Sequence, residues 1–126
     1  MLIQGRSKCK PSGGKVQKNR KKKKRDFGRD FIPMKIGDTK KKILKKKGGK
    51  RKVMLAQERI VNVTDPESGK TVRSKIITVK ENPANPHFVR MNIITKGAIV
   101  ETDAGFARIT SRPCQDGILN AILIKK

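Results

Sequence analysis

The feature that most constrains this chain is the separation of its charge from its apolar residues, which falls near Lys52. Residues 1–52 hold 22 of the 33 Lys and Arg, opposed only by Asp26, Asp30 and Asp38, a net of 22 − 3 = +19. Residues 53–126 hold 11 basic and 7 acidic side chains, a net of +4. Apolar residues divide the other way, 12 in the first segment and 31 in the second. A core can form only in the second, so the chain reads as one ordinary domain behind a basic arm. Like charges confined to a small globule repel each other, and an excess of +23 makes physical sense when a polyanion neutralises it. Nucleic acid is the first candidate.

From Gln4 to Lys24 the only branched aliphatic residue is Val16. Such a stretch buries too little surface to offset its ordering entropy and is expected to be disordered when free. Phe27, Phe31, Ile32, Met34 and Ile36 are the first clustered apolar residues and are expected to anchor the arm. The junction falls near Pro33, giving a basic arm over 1–32 and a β domain over 33–126.

Beyond the junction, short β-branched runs alternate with turn chemistry, and no stretch keeps a helical period over three turns. The expected fold is all-β: a small bent antiparallel sheet or a barrel with a long basic N-terminal extension, closure being one way to remove exposed edges. Expected strands are Lys41 to Lys47, Lys52 to Val63, Val72 to Lys80, Ala98 to Asp103, Phe106 to Ser111 and Ile118 to Ile124. Asp65-Pro66-Glu67-Ser68-Gly69 joins the second and third as a hairpin loop. Asp103-Ala104-Gly105 makes another, whose register would set either Glu101 opposite Arg108 or Ile99 opposite Ile109. Asn85 and Pro86 open one helical turn through Arg90. The run from Ile118 to Ile124 is apolar on both faces, so a central strand is expected there.

Two Gly-Gly pairs sit among cations, Gly13-Gly14 between Lys10 and Lys15 and Gly48-Gly49 before Lys50-Arg51-Lys52. Glycine lets backbone amides approach a phosphate, and such turns can form anion-binding concavities. A flexible linker is the plain alternative, but two pairs inside a +19 segment favour phosphate contact. The run from Arg20 through Lys21 and Lys22 to Arg25 fits phosphate neutralisation or a nuclear address. With four Phe and no Tyr or Trp, stacking of splayed bases is poorly supported. Recognition of folded RNA by shape and backbone is the better expectation, although charge alone would also suit duplex DNA.

Catalysis is hard to assemble from one histidine, His87, and Cys114 near Asp116. His87 reads more simply as part of a helical turn and Cys114 as a small residue before Asp116-Gly117. No enzyme activity, cofactor, small-molecule substrate or metal site is expected. Cys9 and Cys114 lack a CxxC spacing and read as reduced thiols, and Asn62-Val63-Thr64 has no secretory signal to give an acceptor site meaning. No apolar run reaches the roughly 20 residues of a membrane span, so no membrane partner is expected and the compartment is cytoplasmic.

Several segments are specific: Gly5-Arg6-Ser7, Pro11-Ser12-Gly13-Gly14, Gly28-Arg29, Gly48 to Lys52, Asn82 to Arg90, Asn92 to Thr102 and Ala107 to Pro113. Together they resemble the archaeal form of the S-eight-e family of small-subunit ribosomal proteins, over nearly the whole chain. The resemblance implies a structural protein of the ribosome with a small barrel-like domain and an extension threaded along ribosomal RNA, beside neighbouring ribosomal proteins. Carried over by position, Arg6, Lys10, Gly13, Gly14, Arg29, Gly48, Gly49, Lys50, Arg51 and Lys52 would face RNA. Arg90, Lys96, Arg108 and Arg112 are matching basic positions on the domain, where a solvated face is the competing role. Cys114 stands where family members usually have Gly before Gln-Asp-Gly, so that turn is expected to differ, and the Lys-rich stretch from Thr39 to Lys47 matches in character only. The chain lacks the insertions of eukaryotic members. A ribosome-assembly factor or a small DNA-compacting protein would share the charge; co-sedimentation with mature subunits separates the first, and binding to RNA against DNA at one salt concentration the second.

Overall fold

The computed structural model describes residues 3, 7–17, 19–21, 23, 26–28 and 30–124. Two compact units divide between Phe31 and Ile32.

In the first unit, Lys8 to Val16 closes on itself as a small hairpin. Val16 N–H donates to the Lys8 carbonyl at 2.9 Å, Lys10 N–H to that of Gly14 at 2.7 Å, and Gly13 N–H to that of Lys10 at 3.0 Å. Pro11 pre-sets the turn and Gly13 takes the left-handed φ of 83° that ends it. Phe27 of this unit is half-buried and bridges to Ile3.

The second unit holds two sheets. Strands β1 (Lys40–Lys45) and β2 (Arg51–Gln57) form an antiparallel two-stranded ribbon. Strands β3 (Ile60–Thr64), β4 (Thr71–Glu81), β5 (Ile99–Thr102), β6 (Gly105–Ile109) and β7 (Asn120–Leu123) close into a barrel in that order. All neighbours are antiparallel except β3 and β7, whose parallel pairing completes the closure. The all-β barrel expected from the turn spacing is therefore the fold.

Alternation fills the barrel: Val61, Val63, Ile76, Val79, Val100, Ala107, Ile109 and Ala121 point inward and are at most 4% exposed. Ala98, Ala107 and Ala121 keep a five-stranded interior narrow enough to pack without voids. β4 bends around the wall at two register shifts, between Ile76 and Thr78 and between Val79 and Glu81. The amide that the first shift frees, Val79 N–H, donates to Asn92 Oδ1 at 3.3 Å.

The segment from Asn82 to Gly97 is tied down by its own polar residues. Buried Asn82 donates from Nδ2 to the Ile93 carbonyl and accepts at Oδ1 from Ala84 N–H and Thr95 Oγ1. Helix α1 (His87–Arg90) opens as expected, with Asn85 Oδ1 accepting from His87 N–H at 2.9 Å. It ends in a Schellman arrangement, Ile93 N–H to the Phe88 carbonyl and Asn92 N–H to that of Val89, with Asn92 at a φ of 50°.

Three strand expectations need correction. Lys52 to Val63 is two strands, β2 and β3, because Glu58 makes a corner: its Oε1 accepts from Arg59 N–H, Ile60 N–H and Thr39 Oγ1. The Asp103-Ala104 turn gives neither expected register. Thr102 faces Gly105, Glu101 faces Phe106 and Ile99 faces Arg108, with the positive φ of 119° falling on Gly105. The terminal run does have a neighbour on each side, but only Leu119 and Ala121 are buried; Ile118, Ile122 and Ile124 are 53%, 44% and 36% exposed. The turn expected before Asp116-Gly117 is helical: α2 (Pro113–Asp116), with Pro113 at its start and Gly117 closing it at a φ of 73°.

Of the expected anchors, Met34 is fully buried in the core and Ile36 packs against it, whereas Phe31 is 64% exposed. Among the described residues, no helix is long and apolar enough to cross a membrane.

Candidate nucleic-acid interface

The ribbon is built by local rules. Its hairpin tip is a single 3-10 turn over Lys47–Gly49, closed by Lys46 N–H donating to the Lys50 carbonyl at 2.7 Å. Gly48 and Gly49 both take left-handed φ, 69° and 71°, and a Cβ at either would meet open space. Backbone conformation, not crowding, requires glycine there. The turn thus accounts for Gly48-Gly49 by itself, and its ordered geometry sets aside the flexible linker.

The register then places charge. Lys45 faces Arg51, Leu44 faces Lys52, Ile43 faces Val53, Lys42 faces Met54 and Lys41 faces Leu55. From Lys40 to Lys52, nine of the residues are Lys or Arg, and no acid lies between Asp38 and Glu58. Lys40, Lys41, Lys42, Lys45, Lys46, Lys50 and Arg51 are exposed. Like charges directly opposite in an antiparallel pair destabilise it, so the Lys45 and Arg51 pairing works against the ribbon unless an anion sits beside it.

The base of the ribbon is held by α2 and by Lys35. Lys52 Nζ donates to Gln115 Oε1 at 3.3 Å, and Gly117 is so close that a Cβ there would lie 3.2 Å from Val53 atoms. The Cys114 thiol donates to the Ile32 carbonyl at 3.0 Å, with the Leu55 carbonyl at 3.6 Å, and desolvation pushes its pKa up. Cys114 is thus a half-buried residue of that helical turn, packed against the core. Lys35 N–H donates to the Ala56 carbonyl, and the Lys35 carbonyl accepts from Glu58 N–H.

The expected site residues fall into separate groups. Arg6, Lys22 and Arg29 lie outside the described residues. In the first unit, Lys10, Gly13, Gly14 and Lys15 share the small hairpin, and Lys21 is exposed. Arg20 is held by Asp26 at 3.0 Å and 3.4 Å from its two terminal nitrogens, a contact that leaves 47% of the side chain exposed. In the second unit the structure brings Gly48, Gly49, Lys50, Arg51 and Lys52 together with Lys40, Lys41, Lys42, Lys45 and Lys46. The latter five are absent from the position-by-position expectation. Their signal was the lysine run itself, but only the hairpin register shows that it folds back on Lys50 and Arg51. Arg90, Lys96, Arg108 and Arg112 sit on four different segments, and Arg108 stands alone among them on a barrel strand. Among the described residues, no three His, Cys, Asp or Glu cluster as metal ligands would.

Residues 3–124 match the family model described as Ribosomal protein S8e. The chain belongs to the ribosomal protein S8e family. That family is a structural component of the ribosome, not a group of enzymes. The chain is 53% identical over 125 residues to the small ribosomal subunit protein eS8 of Methanococcoides burtonii, covering 99% of this chain and 100% of that one. It is 49% identical to the protein of the same name from Methanocella arvoryzae, covering 98% and 99%, and 46% identical to that of Methanosarcina barkeri, covering 99% and 100%. The similarity to archaeal S8e proteins spans the arm, the ribbon and the barrel alike.

Proposed function

We propose that this S8e protein is a resident structural protein of the small ribosomal subunit, in the cytoplasm, that grips ribosomal RNA by backbone and shape contacts. The observation that carries the proposal is the β1–β2 ribbon, where nine cations stand without one acid and Lys45 directly faces Arg51. A phosphate beside that pair turns cross-strand repulsion into two charge-assisted contacts. Each phosphate neutralised also releases condensed counterions, which makes the binding strong at low salt and independent of base sequence. The ribbon's rise of about 3.3 Å per residue lets its lysines follow successive phosphates along an RNA groove.

The arm over 1–32 is the second grip. It holds 12 of the 33 Lys and Arg, and laying it along the RNA costs conformational entropy. Arg6, Lys10, Lys15, Lys21, Lys22 and Arg29 provide phosphate contacts there, while Arg20 is positioned by Asp26. Affinity for protein-free small-subunit RNA, measured over a range of salt, tests the reading. With about 10 phosphates neutralised, log K falls against log salt with a slope near −7 for single strands and steeper for duplex. A flat dependence, or absence of the protein from mature subunits, would overturn it.

A further inference from the structure

We propose, resting on the ribosomal reading above, that the outer wall of β5, β6 and β7 docks an extended acidic segment of a neighbouring protein of the subunit. The register lays two rows across this wall. Arg108 lies between Ile99 and Ile122, and Phe106 lies between Glu101 and Ile124, whose N–H donates to the Phe106 carbonyl at 2.8 Å. Phe106, Ile122 and Ile124 are 36%, 44% and 36% exposed, although the barrel is already closed and full beneath them. A groove of about 520 Å³ continues the wall, lined by Pro83, Pro86 and Val89 together with Ile99, Arg108 and Ile124.

The chemistry of this surface differs from that of the ribbon. Lys80 on its rim is already neutralised by Glu101 at 3.1 Å, which leaves Arg108 as the cation set among isoleucines. One arginine supplies one phosphate contact and little counterion release. Four large apolar side chains gain nothing from a phosphate backbone and much from an apolar partner. A central Arg ringed by Phe and Ile, with lysine confined to the rim, has the composition of a protein interface core. Arg108 fits a carboxylate in two parallel hydrogen bonds, and alternate residues of an extended chain stand about 7 Å apart, the separation of Arg108 from Phe106 along β6. Arg108 is thereby a protein contact rather than an RNA contact.

The test uses the full-length protein carrying Phe106→p-benzoylphenylalanine or Ile122→p-benzoylphenylalanine, incorporated into small subunits and irradiated. Both positions should crosslink to one other protein, and the captured peptide should contain Asp or Glu. Crosslinks to RNA, to a second copy of this chain, to a peptide without acid, or to nothing would each overturn the docking proposal. Arg108→Ala should leave affinity for protein-free RNA within about twofold yet weaken retention in salt-washed subunits roughly thirtyfold, the scale of a truncated interface hot spot. A loss of RNA affinity as large as that of a ribbon substitution would return Arg108 to the RNA surface. Failure of the wild-type protein to co-sediment with subunits would instead defeat the ribosomal reading, so the two failures are distinguishable.

Discussion

Two hairpins of the second unit, β1–β2 and β3–β4, use the same backbone pairing for opposite ends. In β3–β4, Val61, Val63, Ser74 and Ile76 turn inward and are at most 7% exposed, so the hairpin is part of the wall of a closed core. In β1–β2 only Leu55 is buried, while Ile43 and Val53 are 60% and 37% exposed. A lone two-stranded hairpin is marginal in water, and this one leans on its base, where α2 and Lys35 hold β2. The contrast teaches where this protein keeps its stability and where it keeps its charge. The barrel carries the hydrophobic free energy, and the ribbon carries repulsion that only a partner relieves.

The largest expected effect tests the barrel side of that division. Ile76→Ala, at a fully buried position, should cost about 2–5 kcal/mol in urea unfolding, whereas Ile43→Ala in the ribbon should stay within about 0.5 kcal/mol. Equal costs would mean that the ribbon shares the core's cooperativity and the contrast is false.

The ribbon side is tested by charge. Replacing Lys40, Lys42, Lys45 and Arg51 with Ala should make the salt slope of RNA binding shallower by about 3, at about 0.7–0.9 per lost phosphate contact. The same four-fold replacement at Arg59, Arg73, Lys75 and Lys96 on the barrel unit should change it far less. Unfolding of the ribbon variant should be no easier than that of the wild type, since the substitution also removes Lys45 facing Arg51. An equal slope change in both variants would spread the RNA surface over the whole unit.

Glycines sharpen the comparison at a smaller scale. Gly48→Ala forces a left-handed conformation at a cost of about 1–2 kcal/mol, confined to the ribbon tip and visible as faster hydrogen exchange in β1. Gly117→Ala adds to the same backbone strain a contact of 3.2 Å with Val53, so it should lower global stability more. The reverse order would place the tip, not the base, at the structural centre of the ribbon.

Much of this division was legible in the sequence. The asymmetry at Lys52 told apart a charged front and a core-forming back, and the turn chemistry at Asp65–Gly69 and Asn85–Pro86 marked the hairpin and the helical turn. The corner at Glu58 was not legible, because Val53, Leu55, Val61 and Val63 keep one alternating phase straight through it. The corner is made by a single carboxylate accepting two amides, which leaves no trace in periodicity. The register at Asp103-Ala104 turned on the length of the turn, two residues or three, and Gly105, which takes the positive φ, permits either. The lysines of β1 were visible as a run, yet their convergence with Lys50 and Arg51 depends on a cross-strand register that composition does not encode. The exposed isoleucines of β7 were legible as apolar but not as outward-facing, since a strand apolar on both faces ordinarily has both covered.

The smallest expected effect separates the two units through their thiols. Cys9 is exposed and Cys114 is half-buried, and both are free. Cys9 should be alkylated at once near neutral pH, Cys114 slowly, and both at the same rate after unfolding without reduction. Desolvation raises the Cys114 pKa, because burial disfavours the charged thiolate. The neutral thiol donates to the Ile32 carbonyl at 3.0 Å. The folded state therefore holds its proton more tightly than the unfolded state does. The corresponding stability is fully present below the unfolded thiol pKa of about 8.5 and is lost as pH rises through the higher folded value. Cys114→Ala removes that dependence and leaves every other side chain unchanged. The difference in urea midpoint between wild type and Cys114→Ala should thus shrink from pH 8 to pH 10. A constant difference would show that Cys114 stabilises the base of the ribbon by packing alone, with its proton taking no part.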